Sequence, residues 1–137
     1  MVELDITSLT NAVNALSDSI MAYNEYSSRN EVLKRSLRSG VIQNFEVAYE
    51  LSWKFMKRWL EINISPDIVT GLTRREFYRI AKQNLLISDV KMWWIFHEAR
   101  NNTSHIYNED VADETLNMAF DFLTFAEDFI DVLKRRI

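Results

Sequence analysis

Arg100-Asn101-Asn102-Thr103-Ser104-His105-Ile106-Tyr107 sets a guanidinium, an imidazole and a phenol within eight consecutive positions. A guanidinium is a permanent, forked cation that matches a phosphate, and an imidazole exchanges protons near neutrality. Side by side they could hold a phosphate and move a proton next to it. The chain has only two histidines and no cysteine, so few other places could host such chemistry. The same residues also suit a plain helix C-terminus, where Arg complements the helix dipole and His bonds the last carbonyls. The residues alone leave both readings open.

For the chemical reading, the backbone must bring Arg100 and His105 together. Residues five apart on an α-helix are separated by about 140° of rotation, so a helix running straight through would set the two on different faces. Asn101-Asn102-Thr103-Ser104 are indifferent helix formers whose side chains compete for backbone groups. The spacing therefore predicts a helix that ends or distorts here, with Arg100 on its last turn and His105 folding back. Tyr107, seven positions from Arg100, would return to nearly the same side if helical geometry persisted.

The surrounding chain reads as all-α. Two Gly and one Pro are too few for turn-rich β architecture, and 47% hydrophobic residues, with eight Phe, five Tyr and four Trp, argue against disorder. At 137 residues the expectation is one domain spanning 1–137. Five helices are expected: from about Asp5 to Tyr26, capped by Asp5, Thr7 or Ser8; from about Arg29 to Ile62, with a joint near Ser39-Gly40; a short one opened by the Thr73-Arg74-Arg75-Glu76 capping box and ending near Asn84; a fourth after Ser88; and a fifth after Asn108 or Asp110 to the C-terminus. Ile64-Ser65-Pro66-Asp67 breaks the second helix, because proline cannot continue one.

The second helix is apolar around most of its cylinder and leaves only the stripe Glu46, Glu50, Lys54, Lys57 and Glu61 polar. The fifth shows a wide aromatic face opposite Asn117, Asp121, Thr124, Asp128, Asp131 and Arg135. Two such broad faces exceed what a small bundle hides easily, which points to a two-fold homodimer, with a slightly larger core as the alternative. The net charge of −4 excludes a global basic field for nucleic acid, so any RNA contact must be local. Absence of cysteine excludes disulfides and thiolate metal sites and fits a reducing compartment. Glu3 and Asp5 argue against a secretory leader, and Met92–Phe96 is too short to span a bilayer, so a cytoplasmic protein without a membrane is expected.

The eight-residue stretch resembles the Arg-x4-His-x-Tyr signature of the HEPN superfamily, and the polar Asn101 after the Arg fits that family. Upstream, Val41-Ile42-Gln43-Asn44-Phe45-Glu46-Val47-Ala48-Tyr49-Glu50-Leu51-Ser52-Trp53-Lys54 is similar to the long second helix of the branch described as substrate-binding partners of minimal nucleotidyltransferases (MNT). The resemblance covers nearly the whole chain, including Leu85-Leu86-Ile87 before the fourth helix. It implies an up-and-down four- or five-helix bundle that dimerises and pairs with an MNT protein encoded nearby. It further implies the toxin of a toxin–antitoxin pair, a ribonuclease needing no metal or cofactor, with its site at the dimer cleft. Arg100 would bind the scissile phosphate, His105 would act as general base or acid, and Asn101 would orient the imidazole or touch phosphate. Tyr107 would receive adenylyl groups from the MNT antitoxin (AMPylation), which blocks the anion pocket. The alternative it carries is a non-catalytic, substrate-binding subunit of a two-protein nucleotidyltransferase, resembling the helical domain of kanamycin nucleotidyltransferase. A bundle without any site is the third reading.

Other features are expected to be structural. His97 reads as a half-buried helix histidine, and Trp93 and Trp94 as core and dimer interface, although an indole can stack on bases. Arg74, Arg75, Arg79 and Lys82 form a basic face that is either solvated or a site for RNA or a partner. Glu109, Asp110, Asp113 and Glu114 lack the order and the histidine support of a metal site. They suit a helix N-terminus, where negative charge is favourable.

Overall fold

A computed structural model describes residues 4–137, which form five α-helices and one short 3-10 turn. Glu3, one of the two acids set against a secretory leader, lies outside them. The helices start and stop where side chains supply what the backbone lacks. α1 (Thr7–Tyr26) is preceded by Asp5, whose carboxylate accepts from the Thr7 amide at 2.9 Å and hydroxyl at 2.6 Å, one position outside the N-cap. α2 (Glu31–Asn63) is capped by Asn30, which accepts from the Leu33 amide. It runs through Gly40 without the expected joint: no gap in its hydrogen bonding follows from a glycine whose cost, about 1 kcal/mol, is outweighed by buried neighbours on the same helix. α3 (Arg74–Gln83) has the reciprocal capping box of Thr73 and Glu76. It closes through Leu85, which takes a left-handed φ of 61° while the Leu86 amide reaches back to the Ala81 carbonyl at 3.0 Å. Leu86 and Ile87 then turn into the core.

α4 (Val90–Asn101) starts at Asp89, which accepts from the Met92 amide, and α5 (Glu109–Arg136) starts at Asn108, which accepts from the Asp110 and Val111 amides. α1 lies along α2, both pack on α5, and α3 and α4 pair with each other beside them; α4 also touches α2 and α5. Short connections make sequential neighbours antiparallel, giving the up-and-down bundle. Phe45, Tyr49, Trp93, Phe96, Phe122 and Phe129 form its buried centre. Their rings meet edge to face, with Phe96 and Phe122 5.1 Å apart and Trp93 and Phe122 5.5 Å apart. No helix among the described residues is long and apolar enough to cross a membrane.

Candidate functional site

The helix carrying Arg100 ends one residue later. Thr103 causes the ending: its hydroxyl donates to the Arg100 carbonyl at 2.8 Å, competing for the group that an α-helical amide would take. Asn102–His105 tighten into a 3-10 turn. On the far side the Asn108 amide donates to the His105 carbonyl at 3.0 Å. The turn is thus fastened at both ends, and the expected helix ending between Arg100 and His105 is present.

Arg100 is half-buried and faces α2. Its Nη1 donates to Thr103 Oγ1 at 3.1 Å and lies 3.8 Å from Glu46; its Nε lies 3.3 Å from Glu50 Oε1. The Nε approach misses hydrogen-bond geometry, so this buried nitrogen is left without a hydrogen-bond partner. Among the described residues, Thr103 is the sole hydrogen-bond acceptor for a guanidinium that has five N–H donors. Glu46 and Glu50 read in sequence as a solvated stripe, and sequence reasoning missed them. The i,i+4 pair does face one side, but only packing shows that this side meets α4. Glu50 also accepts from Trp53 Nε1 at 3.1 Å, which fixes its carboxylate.

His105 and Tyr107 point outward. His105 is exposed, Tyr107 is 82% exposed, and their rings meet edge to face at 6.1 Å. No hydrogen bond joins His105 to Arg100 among the described residues. The structure therefore brings Arg100 to Thr103 and the α2 carboxylates, and His105 to Tyr107, on two sides of one four-residue turn. Behind them, Arg38 of α2 holds the start of α5: its Nη1 donates to Glu109 at 2.8 Å and Asp113 at 2.9 Å. That pairing pushes the Glu109 carboxyl below its ordinary range. Two of the four acids set aside as helix N-terminal charge thus serve as anchors for the segment that follows Tyr107.

Asn101 turns away from Arg100 toward His97, with Nδ2 and Nε2 3.3 Å apart. His97 opens a chain of polar groups inward. Its Nδ1 lies 3.2 Å from the Tyr49 hydroxyl and 3.4 Å from Arg74 Nη1, Arg74 donates to the Tyr49 oxygen at 2.9 Å, and the Tyr49 and Tyr78 hydroxyls share a hydrogen bond. Arg74 can only donate, so one arrangement satisfies every group. Tyr49 accepts from Arg74 and from Tyr78, and its O–H donates to the single lone pair of His97 Nδ1. His97 is then neutral with its proton on Nε2, facing an Asn101 carbonyl once the amide is flipped, an exchange of O and N that leaves its shape unchanged. Burial, and then the Arg74 charge, lower the His97 pKa, in agreement with a neutral ring. Burial raises Tyr49 and Tyr78 above the ordinary phenol value. The expectation of a structural His97 holds, with the addition that it holds Asn101. Trp93 is core as expected, whereas Trp94 is half-buried beneath the Arg75 guanidinium.

Among the described residues no three His, Cys, Asp or Glu converge as a metal site. The pieces present are a constrained, under-bonded cation, an accessible imidazole and an accessible phenol. Individually they can bind an anion, transfer a proton and accept a group on oxygen, and the structure joins the last two, His105 and Tyr107, directly.

Three comparisons bear on this geometry. Residues 4–135 match the family described as nucleotidyltransferase substrate binding protein like. A probable ribonuclease HepT of Haemophilus influenzae is 33% identical over 106 residues, which span 77% of this chain and 73% of that protein. A solved chain from the same organism is described as revealing the fold of a substrate binding domain of a nucleotidyltransferase. It is similar at TM-score 0.89 and 28% identity, covering 95% of this chain and 99% of that one.

Proposed function

The chain belongs to the nucleotidyltransferase substrate binding protein-like family, a branch of the HEPN superfamily, and on that premise we propose that it is an endoribonuclease, the toxin of a pair whose second member is a nucleotidyltransferase. The observation that carries this reading is the state of Arg100. A half-buried guanidinium held in a fixed orientation, with part of its fork still open to solvent, is a placed cation that a phosphate can reach. This one is held by Thr103 and steered by Glu46 and Glu50, yet keeps donors unspent at the base of the turn that presents His105 and Tyr107.

In the proposed reaction Arg100 binds the scissile phosphate of an RNA and stabilises the charge that grows on its oxygens. His105 takes the proton of the neighbouring 2′-hydroxyl, whose oxygen bonds to phosphorus while the bond to the 5′-oxygen breaks. The products are a 2′,3′-cyclic phosphate and a 5′-hydroxyl, with the proton returned to the leaving oxygen. General acid–base help of this kind is worth about 10²–10⁴-fold. Asn101, its carbonyl occupied by His97, offers its amide N–H groups to phosphate. No step in this scheme draws on a metal or cofactor.

The cleft is completed by a second copy of the chain. Beside the turn, half-buried Ile95, Val111 and Met118, flanked by Glu98, Asn102 and Glu114, line an open groove of about 200 Å³ between α4 and α5, and this mixed surface is where we place the second copy. Control comes through Tyr107. Its phenol oxygen attacks the α-phosphorus of ATP on the nucleotidyltransferase and releases pyrophosphate, leaving an adenylyl phosphate whose charge competes with RNA for Arg100.

His105→Ala is expected to remove RNA cleavage and growth inhibition with an unchanged melting temperature. Wild-type cleavage by that variant overturns the ribonuclease reading. Co-expression with the nucleotidyltransferase should add the mass of one or more adenylyl groups, lost in Tyr107→Phe. A second reading is favoured by Glu46 and Glu50, which repel a polyanion: the chain serves as the substrate-binding half of a two-protein nucleotidyltransferase. It gains ground if the purified chain cuts no RNA and is required for nucleotidyl transfer to a small acceptor.

A further inference from the structure

α3 is cationic out of proportion to the chain, with Arg74, Arg75, Arg79 and Lys82 against Glu76 alone, in a protein of net charge −4. Arg74 is already engaged, its guanidinium 3.9 Å from the Trp53 ring centroid and bonded to Tyr49. Arg75 and Arg79, one helical turn apart, are exposed and look across to Lys91 and Trp94 of α4. Together with Val90 these four residues line an open cleft of about 420 Å³ that no carboxylate enters. Within it the Arg75 guanidinium sits over the Trp94 ring, 4.6 Å from its centroid. An entering anion meets three cations, a half-buried indole and no acid.

The helix face that carries Trp94 continues from the cleft toward the turn. The Trp94 and His97 rings are 5.1 Å apart, and Trp94, His97 and Asn101 recur three and four positions apart on one face of α4. Seven residues of helix carry that face about 10 Å, a short step along an extended nucleic-acid strand. Bases stack on aromatic faces and on guanidinium planes without regard to sequence, and a cationic groove follows the backbone. An acidic protein surface would use the cations but leave the flat indole–guanidinium stack without a partner, so the pairing of stack and charge favours RNA.

We propose that this cleft is a subsite for single-stranded RNA, with a base stacked on the Trp94–Arg75 pair and flanking phosphates on Arg79 and Lys91. The strand then runs along α4 to Arg100. The base lies on the outer guanidinium face or replaces Arg75 on the indole. The proposal rests on the ribonuclease reading and extends it to substrate positioning outside the reacting group.

The test uses the full chain carrying His105→Ala, to prevent cleavage, and a fluorescent single-stranded RNA of about 12 nucleotides, within the usual length of such sites. Binding is followed by anisotropy across a salt series. Adding Trp94→Ala should weaken binding about tenfold, and Trp94→Phe should retain most of it. Adding Arg79→Gln and Lys91→Gln, exposed positions that leave folding intact, should flatten the slope of log K against log salt by about 0.7 per charge removed. Unchanged affinity and slope in the charge variants overturn the subsite and leave the surface to a protein partner; a parent that binds no RNA overturns it as well. The two ideas separate cleanly. A wild-type chain that cuts RNA while these variants bind normally sinks the subsite alone. A wild-type chain that cuts nothing, yet binds RNA and releases it in the variants, sinks the ribonuclease and keeps the subsite.

Discussion

Arg100 owes its chemistry to what surrounds it. Thr103 locks its orientation, while Glu46 and Glu50 hold the charge in place at the cost of competing with an incoming phosphate. Two outcomes follow. Arg100→Lys, which keeps the charge but loses the planar fork, should lower RNA cleavage about 100-fold with little change in melting temperature, as measured by single-turnover kinetics. Near-normal cleavage would make Arg100 a structural residue. Glu50→Gln removes one competing charge and should tighten RNA binding; weaker binding would mean that the carboxylate positions Arg100 more than it shields it. His97 carries a pH signature. Its pKa in the folded chain lies below the ordinary 6.5, so folding favours the neutral ring. That contribution is fully present above 6.5 and is lost as pH falls through the lower folded value. Urea midpoints measured from pH 7.5 downward should therefore fall less steeply in His97→Gln than in the wild type.

The helices divide into those closed by local signals and those held by distant ones. Thr73 with Glu76, Asn30, Asp89 and Asn108 all act within their own first turn; the Thr73–Glu76 box and the start after Asn108 were readable as spacing, whereas the caps at Asn30 and Asp89 became visible only in the structure. Gly40 is different. It sits inside an unbroken α2, and a Cβ there would meet nothing within 4 Å. Gly40→Ala should stabilise the chain by about 1 kcal/mol in urea denaturation. Destabilisation would mean that another chain approaches that point closely. Arg38 ties α2 to the start of α5 through Glu109, whose carboxyl it pushes below the ordinary 4.5. Such a carboxylate stabilises above its ordinary pKa and stops doing so as pH falls through its lowered one. Arg38→Met should therefore lower the urea midpoint at pH 7, and its gap to the wild type should close in acid. A gap that stays constant throughout the acid limb of the titration would assign the loss to packing instead.

Over the molecule as a whole, the core absorbs much of the apolar surplus that the two long helices carry, and what remains exposed on α2, at Val32, Val47 and Ile62, is spread along its length. The self-association surface proposed at Ile95, Val111 and Met118 is compact by comparison. Sedimentation should give twice the 16.2 kDa chain mass, and Met118→Glu should return the species to a monomer with reduced cleavage. A wild-type monomer that cleaves normally would remove the shared cleft.

The amino-acid order alone settled the all-α class, the Thr73–Glu76 capping box, the start of α5 after Asn108 and the break in helicity between Arg100 and His105. Each depends on hydrogen bonds and side-chain periodicity over three or four neighbours, and such short-range causes are written in spacing. The partners of Arg100 on α2, the inward chain from Asn101 through His97 and Tyr49 to Arg74, and the facing of α3 cations onto Trp94 emerged only when helices packed. Those contacts join residues far apart in the chain. The direction a polar stripe faces is set by how apolar faces bury against one another, so the same Glu46 and Glu50 read as solvated in one dimension and as steering charges in three.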